Sequence, residues 1–316
     1  MTYRLLITGA LGHIGSKFIH SIQPGEFEEI RLLDNVSTQR YSSLFNLPAG
    51  VKFKFFEEDI RCTDLDTYFK DIDIVIHLAA ITDATTSFDK AKEVEEVNFL
   101  GTKNVAMACM RNNCRLLFPS TTSVYGVQNE IVDEECPSTC LKPQSPYAKS
   151  KLDAENYVRS LDESTPLRYI ICRLGTIFGT SIGMRFHTAV NKFCWQAVRG
   201  LPITVWRAAL HQKRPYLDLN DAMRAFRFII RKDLFDCSIY NVLTINTTVD
   251  EIVKSIAAHV SDVSIKYVDS EIMNQLSYTV SNDRFSKQGF EFQGNLENGI
   301  EETMRLLNGI RQKHES

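Results

Sequence analysis

The segment Thr8-Gly9-Ala10-Leu11-Gly12-His13-Ile14-Gly15 restricts this chain more than any other. An apolar run at 3–7 precedes it and reads as a strand, and residues 16–22 follow with helical spacing. Where a strand turns sharply into a helix, the first helical amides are left unpaired, and glycine lets a phosphate approach that backbone. The turn is therefore a candidate diphosphate cradle. The next apolar run, Glu29 to Asp34, ends in a carboxylate roughly 20 residues past the glycines, the spacing of the dinucleotide fingerprint. At the end of a second parallel strand, Asp34 accepts both hydroxyls of an adenosine ribose and repels a 2′-phosphate, which points to NAD rather than NADP. Arg40 lies in the loop beyond and offsets part of that repulsion. The competing reading of Asp34 is a strand-end turn residue.

The pattern then repeats. Residues 51–56 alternate as a third strand ending near Asp59-Ile60, where the carboxylate suits an adenine amino group and Ile60 the face of the ring. Helix capping ahead of Asp64 and Leu65 is an equal alternative for Asp59. Residues 73–80 form a continuous apolar strand closed by Ala79 and Ala80, whose small side chains leave room for a ligand. His77, inside that run, reads as a satisfied core histidine. A helix of roughly 20 residues is expected from Lys90 to Met110, followed by a strand at 115–118. This order gives an α/β fold with a doubly wound parallel sheet of the Rossmann kind, whose ligands bind beyond the carboxyl ends of the strands.

A chain of 316 residues can bury one large α/β domain with a smaller lobe. Its net charge of −3, without any basic run, argues against nucleic acid as a partner, and no apolar stretch is long enough to cross a membrane. The first strand starts at residue 3, which leaves no room for a secretory signal, so a cytoplasmic location is expected. The eight cysteines form no CxxC pair and no His/Cys cluster at zinc spacing, so no metal is expected.

The fifth strand runs into Pro119-Ser120-Thr121-Thr122-Ser123-Val124-Tyr125-Gly126, a group of hydroxyls at the edge where chemistry belongs. After an acidic stretch at 129–144, Tyr147 and Lys151 stand four residues apart on a helix and share one face. A free phenol, with a pKa of roughly 10, is a poor base at neutral pH, and a neighbouring ammonium favours its phenolate. The pair can take a proton from an alcohol while hydride leaves the carbon, with Thr121 holding the same alcohol. Lys149, two residues from Tyr147, should point elsewhere.

Taken together, these segments resemble the extended short-chain dehydrogenase/reductase family. The motifs are TGxxGxxG at 8–15, Asp34, Asp59-Ile60, His77 to Ala80, Val97-Asn98 with Gly101-Thr102 and Asn104, Ser120 to Gly126, and Tyr147-x-x-x-Lys151. Within that family the chain is similar to the NAD-dependent nucleotide-sugar epimerases and dehydratases, over nearly its whole length. The resemblance implies that Thr121, Tyr147 and Lys151 are catalytic, with Lys151 holding the nicotinamide ribose and lowering the tyrosine pKa. It implies that Gly9, Gly12, His13, Ile14, Gly15, Asp34, Asn35, Ser37, Asp59, Ile60, Leu78, Ala79, Ala80 and Asn98 bind NAD. Dehydratases of this kind carry an Asp-Glu pair just after the catalytic threonine; here those places hold Thr122 and Ser123, which disfavours water elimination. The implied activity is C4 epimerisation of a nucleoside-diphosphate sugar through a keto sugar, with a 4-dehydrogenase as the alternative and a non-catalytic cofactor-binding subunit as the more distant one.

Beyond Arg173 the apolar runs thin out, and the division expected is a cofactor domain at 1–175, with 215–235 packing back onto it, and a substrate lobe over most of 176–316. In that lobe the resemblance assigns Thr176, Asn191 and Arg214 to the substrate, beside Thr122 and Ser123, with Arg214 on the diphosphate. A surface ion pair is the other reading of Arg214. From Ser261 to Asn282 no second arginine is present for that diphosphate. Relatives of this kind pair as homodimers through the helices expected at 90–110 and 148–159.

Overall fold

Strands that are apolar without alternation must be covered on both faces, and the central sheet of this protein is built that way. The structure is a computed structural model that describes residues 2–61, 64–128, 130–161, 167–260, 263–269 and 277–308. Its strands are β1 Arg4–Thr8, β2 Glu29–Asp34, β3 Phe53–Glu57, β4 Ile74–His77, β5 Arg115–Thr121, β6 Ile131–Val132, β7 Tyr169–Leu174, β8 Thr176–Phe178, β9 Ile203–Trp206, β10 Lys213–Asp218, β11 Ser238–Val242, β12 Ile245–Thr248, β13 Ile265–Val268 and β14 Thr279–Val280. The helices are α1 His13–His20, α2 Asp66–Phe69, α3 Ala91–Val94, α4 Gly101–Arg111, α5 Pro146–Ser160, α6 Ala189–Val198, α7 Leu219–Lys232, α8 Val249–Ala257, α9 Asp283–Ser286 and α10 Leu296–Leu307.

Seven strands pair in parallel in the order β11-β7-β5-β4-β1-β2-β3. The order reverses between β1 and β4, and the crevice beyond their carboxyl ends is where such sheets bind ligands. Leu5, Ile7, Ile74 and Ile76 face a core shared with α1 and α7, while Leu6, Val75, Leu116 and Phe118 face the opposite core with α4 and α5. A third core joins α6, α8 and α10 to β9, with Tyr216 of β10, and a short mixed sheet β12-β10-β8 lies beside it. Leu217, Leu219 and most buried residues of α7 belong to the core of the large sheet.

Two details differ from the expectations above. Residues 238–242 fall within the expected substrate lobe, yet they form β11, the outermost strand of the large sheet beside β7. The helix expected from Lys90 to Met110 is interrupted by a π-helical stretch, Glu95–Leu100. A π turn opens the backbone ladder by one residue, and here Asn98 uses it: the carboxamide accepts from Ile81 N at 2.8 Å and donates to Ile81 O at 2.9 Å and Ser150 Oγ at 3.1 Å. Asn98 thereby pins the loop after β4 to α5, a demand that helical periodicity does not reveal.

Candidate active site

At the β1–α1 turn, Gly9 has φ +65°, and a Cβ there would lie 2.5 Å from Ala79 N and 2.7 Å from Leu78 C. At Gly15 a Cβ would lie 2.5 Å from Ala10 O. Both positions require glycine because backbone, which cannot move aside, fills the space. Gly12 is the N-cap of α1 and supplies no side-chain cap, so the first-turn amides of His13 and Ile14 face the cleft unsatisfied by any side chain of the cap. Asp34 closes the turn from the neighbouring strand, with Oδ2 accepting from Leu11 N at 3.0 Å and Oδ1 from Val36 N at 2.9 Å.

The adenosine side is tied together by polar side chains. Asn35 donates to Asp59 Oδ2 at 2.9 Å and accepts from Ser37 N at 3.1 Å. Arg61 grips Asp59 through Nε at 3.0 Å and Nη2 at 2.8 Å, and these bonds hold its carboxyl at about 2. Asp59 does not cap α2, whose N-cap, Leu65, has no side-chain cap bond. Ile60, expected on the face of an adenine ring, instead has its side chain buried against Gly101. The cause is the close seat of α4 on β3's exit, since no Cβ at Gly101 intervenes.

His77 is the core histidine expected: fully buried, it meets Thr8 Oγ1 at 2.7 Å and Thr102 Oγ1 at 2.9 Å. Burial first, and Lys151 second, drop its pKa to about 3, so the ring is neutral. Leu78, Ala79 and Ala80 line the crevice as half-buried residues, and Ala79 N donates to Thr8 Oγ1 at 3.3 Å.

Thr121 ends β5, and Tyr147 stands in the first turn of α5, which Ser145 caps by accepting from Ala148 N at 3.1 Å. Burial pushes the Tyr147 phenol up to about 12; Thr121 and then Arg185 pull it back. Lys151, one turn on, is buried, donates Nζ to Pro119 O at 2.8 Å and lies 4.6 Å from the centre of the Phe118 ring. Burial lowers its pKa to about 8, against the support of Glu155. Lys151 thus stands one turn from the phenol with its ammonium on the Pro119 carbonyl, and Arg185 also acts on Tyr147. Lys149 is exposed.

Thr122 Oγ1 lies 3.3 Å from both Leu174 O and Tyr278 OH. Burial raises the pKa of Tyr278 and of Tyr216, and half-buried Arg214, two residues before Tyr216 on β10, opposes both shifts. Tyr278 thus links Thr122 to the neighbourhood of Arg214. Thr176 sits on β8 opposite Tyr216. Asn191, fully buried, directs Nδ2 at Gly179 O and Arg185 O, each 3.4 Å away, while its Oδ1 has no partner among the described residues. Sequence reasoning missed Tyr278 and Arg185. Neither sits in a motif, and their only signal is a polar group set among apolar neighbours.

Among the described residues no group of three or more His, Cys, Asp or Glu could hold a metal, and no helix is long and apolar enough to cross a membrane. Cys109, Cys114, Cys136, Cys140, Cys172 and Cys194 form no disulfide; Cys62 lies outside the described residues.

The NAD dependent epimerase/dehydratase family matches residues 5–242. The chain is 28% identical over 320 residues to a trifunctional UDP-glucose 4,6-dehydratase/UDP-4-keto-6-deoxy-D-glucose 3,5-epimerase/UDP-4-keto-L-rhamnose-reductase of Arabidopsis thaliana, covering 95% of this chain and 46% of that one. It is 31% identical to the dTDP-D-glucose 4,6-dehydratase of Dictyostelium discoideum over 76% of this chain and 58% of the relative. It thus spans about half the length of these curated relatives. Among solved structures, the UDP-glucose 4-epimerase of Thermus thermophilus in complex with NAD superposes with a TM-score of 0.84 at 26% identity, covering 97% of this chain and 99% of that one. The cofactor is NAD, and the residues present fit it: the glycine cradle, the uncapped start of α1, and the buried Nε2 of His13, which lacks a partner among the described residues.

Proposed function

The chain belongs to the NAD dependent epimerase/dehydratase family, and from that footing we propose that it is a nucleotide-sugar epimerase acting at C4 through a keto sugar. The observation that supports this reading is the placement of Thr121 at the end of β5 beside Tyr147 in the first turn of α5, with Lys151 one turn along the same helix. Tyr147 takes the proton of the sugar's C4 hydroxyl as general base and later returns it as general acid. Thr121 bonds the same oxygen and fixes its direction. NAD, when bound, would supply the reversible hydride acceptor for C4. Gly9, Gly12, Gly15, His13 and Ile14 would hold its diphosphate, Asp34 its adenosine ribose, and Lys151 its nicotinamide ribose. Arg214 would hold the substrate's diphosphate, while buried Asn191 supports the Gly179 and Arg185 carbonyls.

Thr122 and Ser123 favour epimerisation over dehydration. Neither hydroxyl can exchange protons at C5 and C6 near neutral pH as a carboxyl group can, and that of Thr122 is engaged with Tyr278 OH at 3.3 Å. The substrate's sugar and base are to be read from a panel of UDP-, dTDP-, GDP- and CDP-sugars, with product stereochemistry followed by NMR and reduced nicotinamide by absorbance. The expected result is a C4-inverted sugar with no net reduced cofactor. A stoichiometric rise in reduced cofactor with a free keto sugar would replace the epimerase by a 4-dehydrogenase, and a 4-keto-6-deoxy product would replace it by a dehydratase.

A further inference from the structure

Two thiols that the candidate active site does not use stand in the loop leading into α5. They belong to the run Cys136-Pro137-Ser138-Thr139-Cys140, and one turn brings the chain back between them. Pro137 is held at φ −60°, Cys140 N donates to Pro137 O at 2.8 Å, and Leu141 N donates to Ser138 O at 3.1 Å. The limbs on either side are fixed to the body of the protein. Ahead of Cys136, Val132 pairs with Val280 of β14, Glu134 accepts from Asn241 N, and Glu135 accepts from Arg284 Nη1 at 2.8 Å. At the other limb, Gln128 Nε2 donates to Cys140 O at 2.7 Å and to Tyr125 O at 2.6 Å, and Lys142 O lies so close to Gly126 that no Cβ fits there.

Burial separates this pair from the other neighbouring thiols. Cys109 and Cys114 also interact, but both are buried, and Cys114 Sγ donates to Ile72 O at 3.1 Å. Cys136 and Cys140 are half-buried, so a small disulfide can reach them. Burial pushes the Cys136 thiol up, Arg173 pulls it back, and Cys140, Asp133 and Glu134 add to the rise, which places the second sulfur within electrostatic range of the first. Exchange at Cys136 is therefore slow near neutral pH and faster in mild alkali, where more thiolate is present. Cys136 also packs against the apolar cluster that contains Tyr125 and Tyr278, and the Tyr278 hydroxyl reaches Thr122.

We propose that Cys136 and Cys140 are a reversible redox pair, linked by exchange with a small disulfide of the glutathione class, and that the link stiffens the loop between the hydroxyl cluster of β5 and α5. One thiolate attacks a sulfur of the small disulfide, forming a mixed disulfide and releasing one small thiol. The other thiolate attacks the protein sulfur of that mixed disulfide, forming the Cys136–Cys140 bond and releasing the second small thiol. Two electrons pass from the protein thiols to the small disulfide, whose two halves leave as thiols carrying the two protons. No part of this depends on which sugar is turned over.

The test incubates the reduced, purified full chain with glutathione disulfide at about pH 8, then alkylates the remaining thiols and maps the peptides by mass spectrometry, with amide hydrogen exchange in parallel. The expected product has Cys136 and Cys140 linked, is lighter than the reduced form by two hydrogens, and returns to it with dithiothreitol. Amides of residues 130–145 should exchange at least about three-fold more slowly in the linked form. Cys140→Ser should carry a single glutathione on Cys136 and show no slowing. Both cysteines still open to alkylation in wild type, or carrying glutathione without a link, would overturn the pair. A link that leaves exchange within about two-fold of the reduced protein would overturn the stiffening. The wild-type chain carries both readouts without any sugar, so they stand or fall separately from the epimerase reading.

Discussion

Substituting Glu155 by leucine strikes the structural support of the candidate active site from one position. Glu155 lies one turn beyond Lys151 on α5, accepts from Ser120 Oγ, and takes Arg173 Nη2 at 2.7 Å and Nε at 3.1 Å. The Arg173 and Glu155 side chains are 3% and 1% exposed. Arg173 also donates to Tyr125 OH at 3.0 Å, but that neutral hydroxyl cannot answer a buried positive charge. Removing one partner of such a pair costs about 3–5 kcal/mol, whereas replacing both by apolar groups is often close to neutral. For 316 residues, with an unfolding entropy of about 2 cal/mol/K per residue, this lowers Tm by about 5–8 °C. Thermal unfolding of Glu155→Leu and of Glu155→Leu/Arg173→Met checks both halves, the double variant being expected to regain most of the loss. A second effect reaches the chemistry. Glu155 is what holds up the pKa of Lys151 against burial, so without it the alkaline limb of kcat/KM should move to lower pH. A single variant that melts within about 2 °C of wild type, or a double variant no better than the single, would refute the reasoning.

Gly9→Ala should destabilise the chain by about 2–4 kcal/mol, from left-handed backbone strain and overpacking against Ala79, and should weaken NAD binding by calorimetry. Asp34→Ala should narrow the preference for NAD over NADP, as a ratio of affinities; an unchanged ratio would remove its ribose role. His77 and His13 have folded-state pKa values of about 3, below the ordinary 6.5, so the unfolded chain takes up their protons first. Stability should therefore fall as pH drops from about 6.5 toward 3, by up to about 1.4 kcal/mol per pH unit for each ring, and His77→Gln should flatten the acid side of a plot of Tm against pH.

What the sequence disclosed and what it hid separate along one physical line. The β1 turn, Asp34, Thr121 and the Tyr147/Lys151 spacing are local, set by backbone geometry within a few residues, and the large sheet follows from strand and helix periods. Contacts between segments far apart in the chain were not. His13 meets Ser181 across 168 residues and Arg185 meets Thr82 across 103, and no periodicity encodes either. The π-helical stretch escaped notice for a related reason: what drives it is Asn98 reaching Ile81, not the helix itself. Lys151 sits where its spacing from Tyr147 puts it, but the carbonyl that claims its proton belongs to β5.

The role of Tyr147 as the base is tested most directly by rapid mixing of NAD-loaded protein with the nucleotide sugar found in the panel, comparing wild type with Tyr147→Phe. A transient of reduced nicotinamide is expected in wild type and none in Tyr147→Phe, while both proteins hold NAD equally. A transient of the same size and rate in Tyr147→Phe would contradict that role and place the base elsewhere.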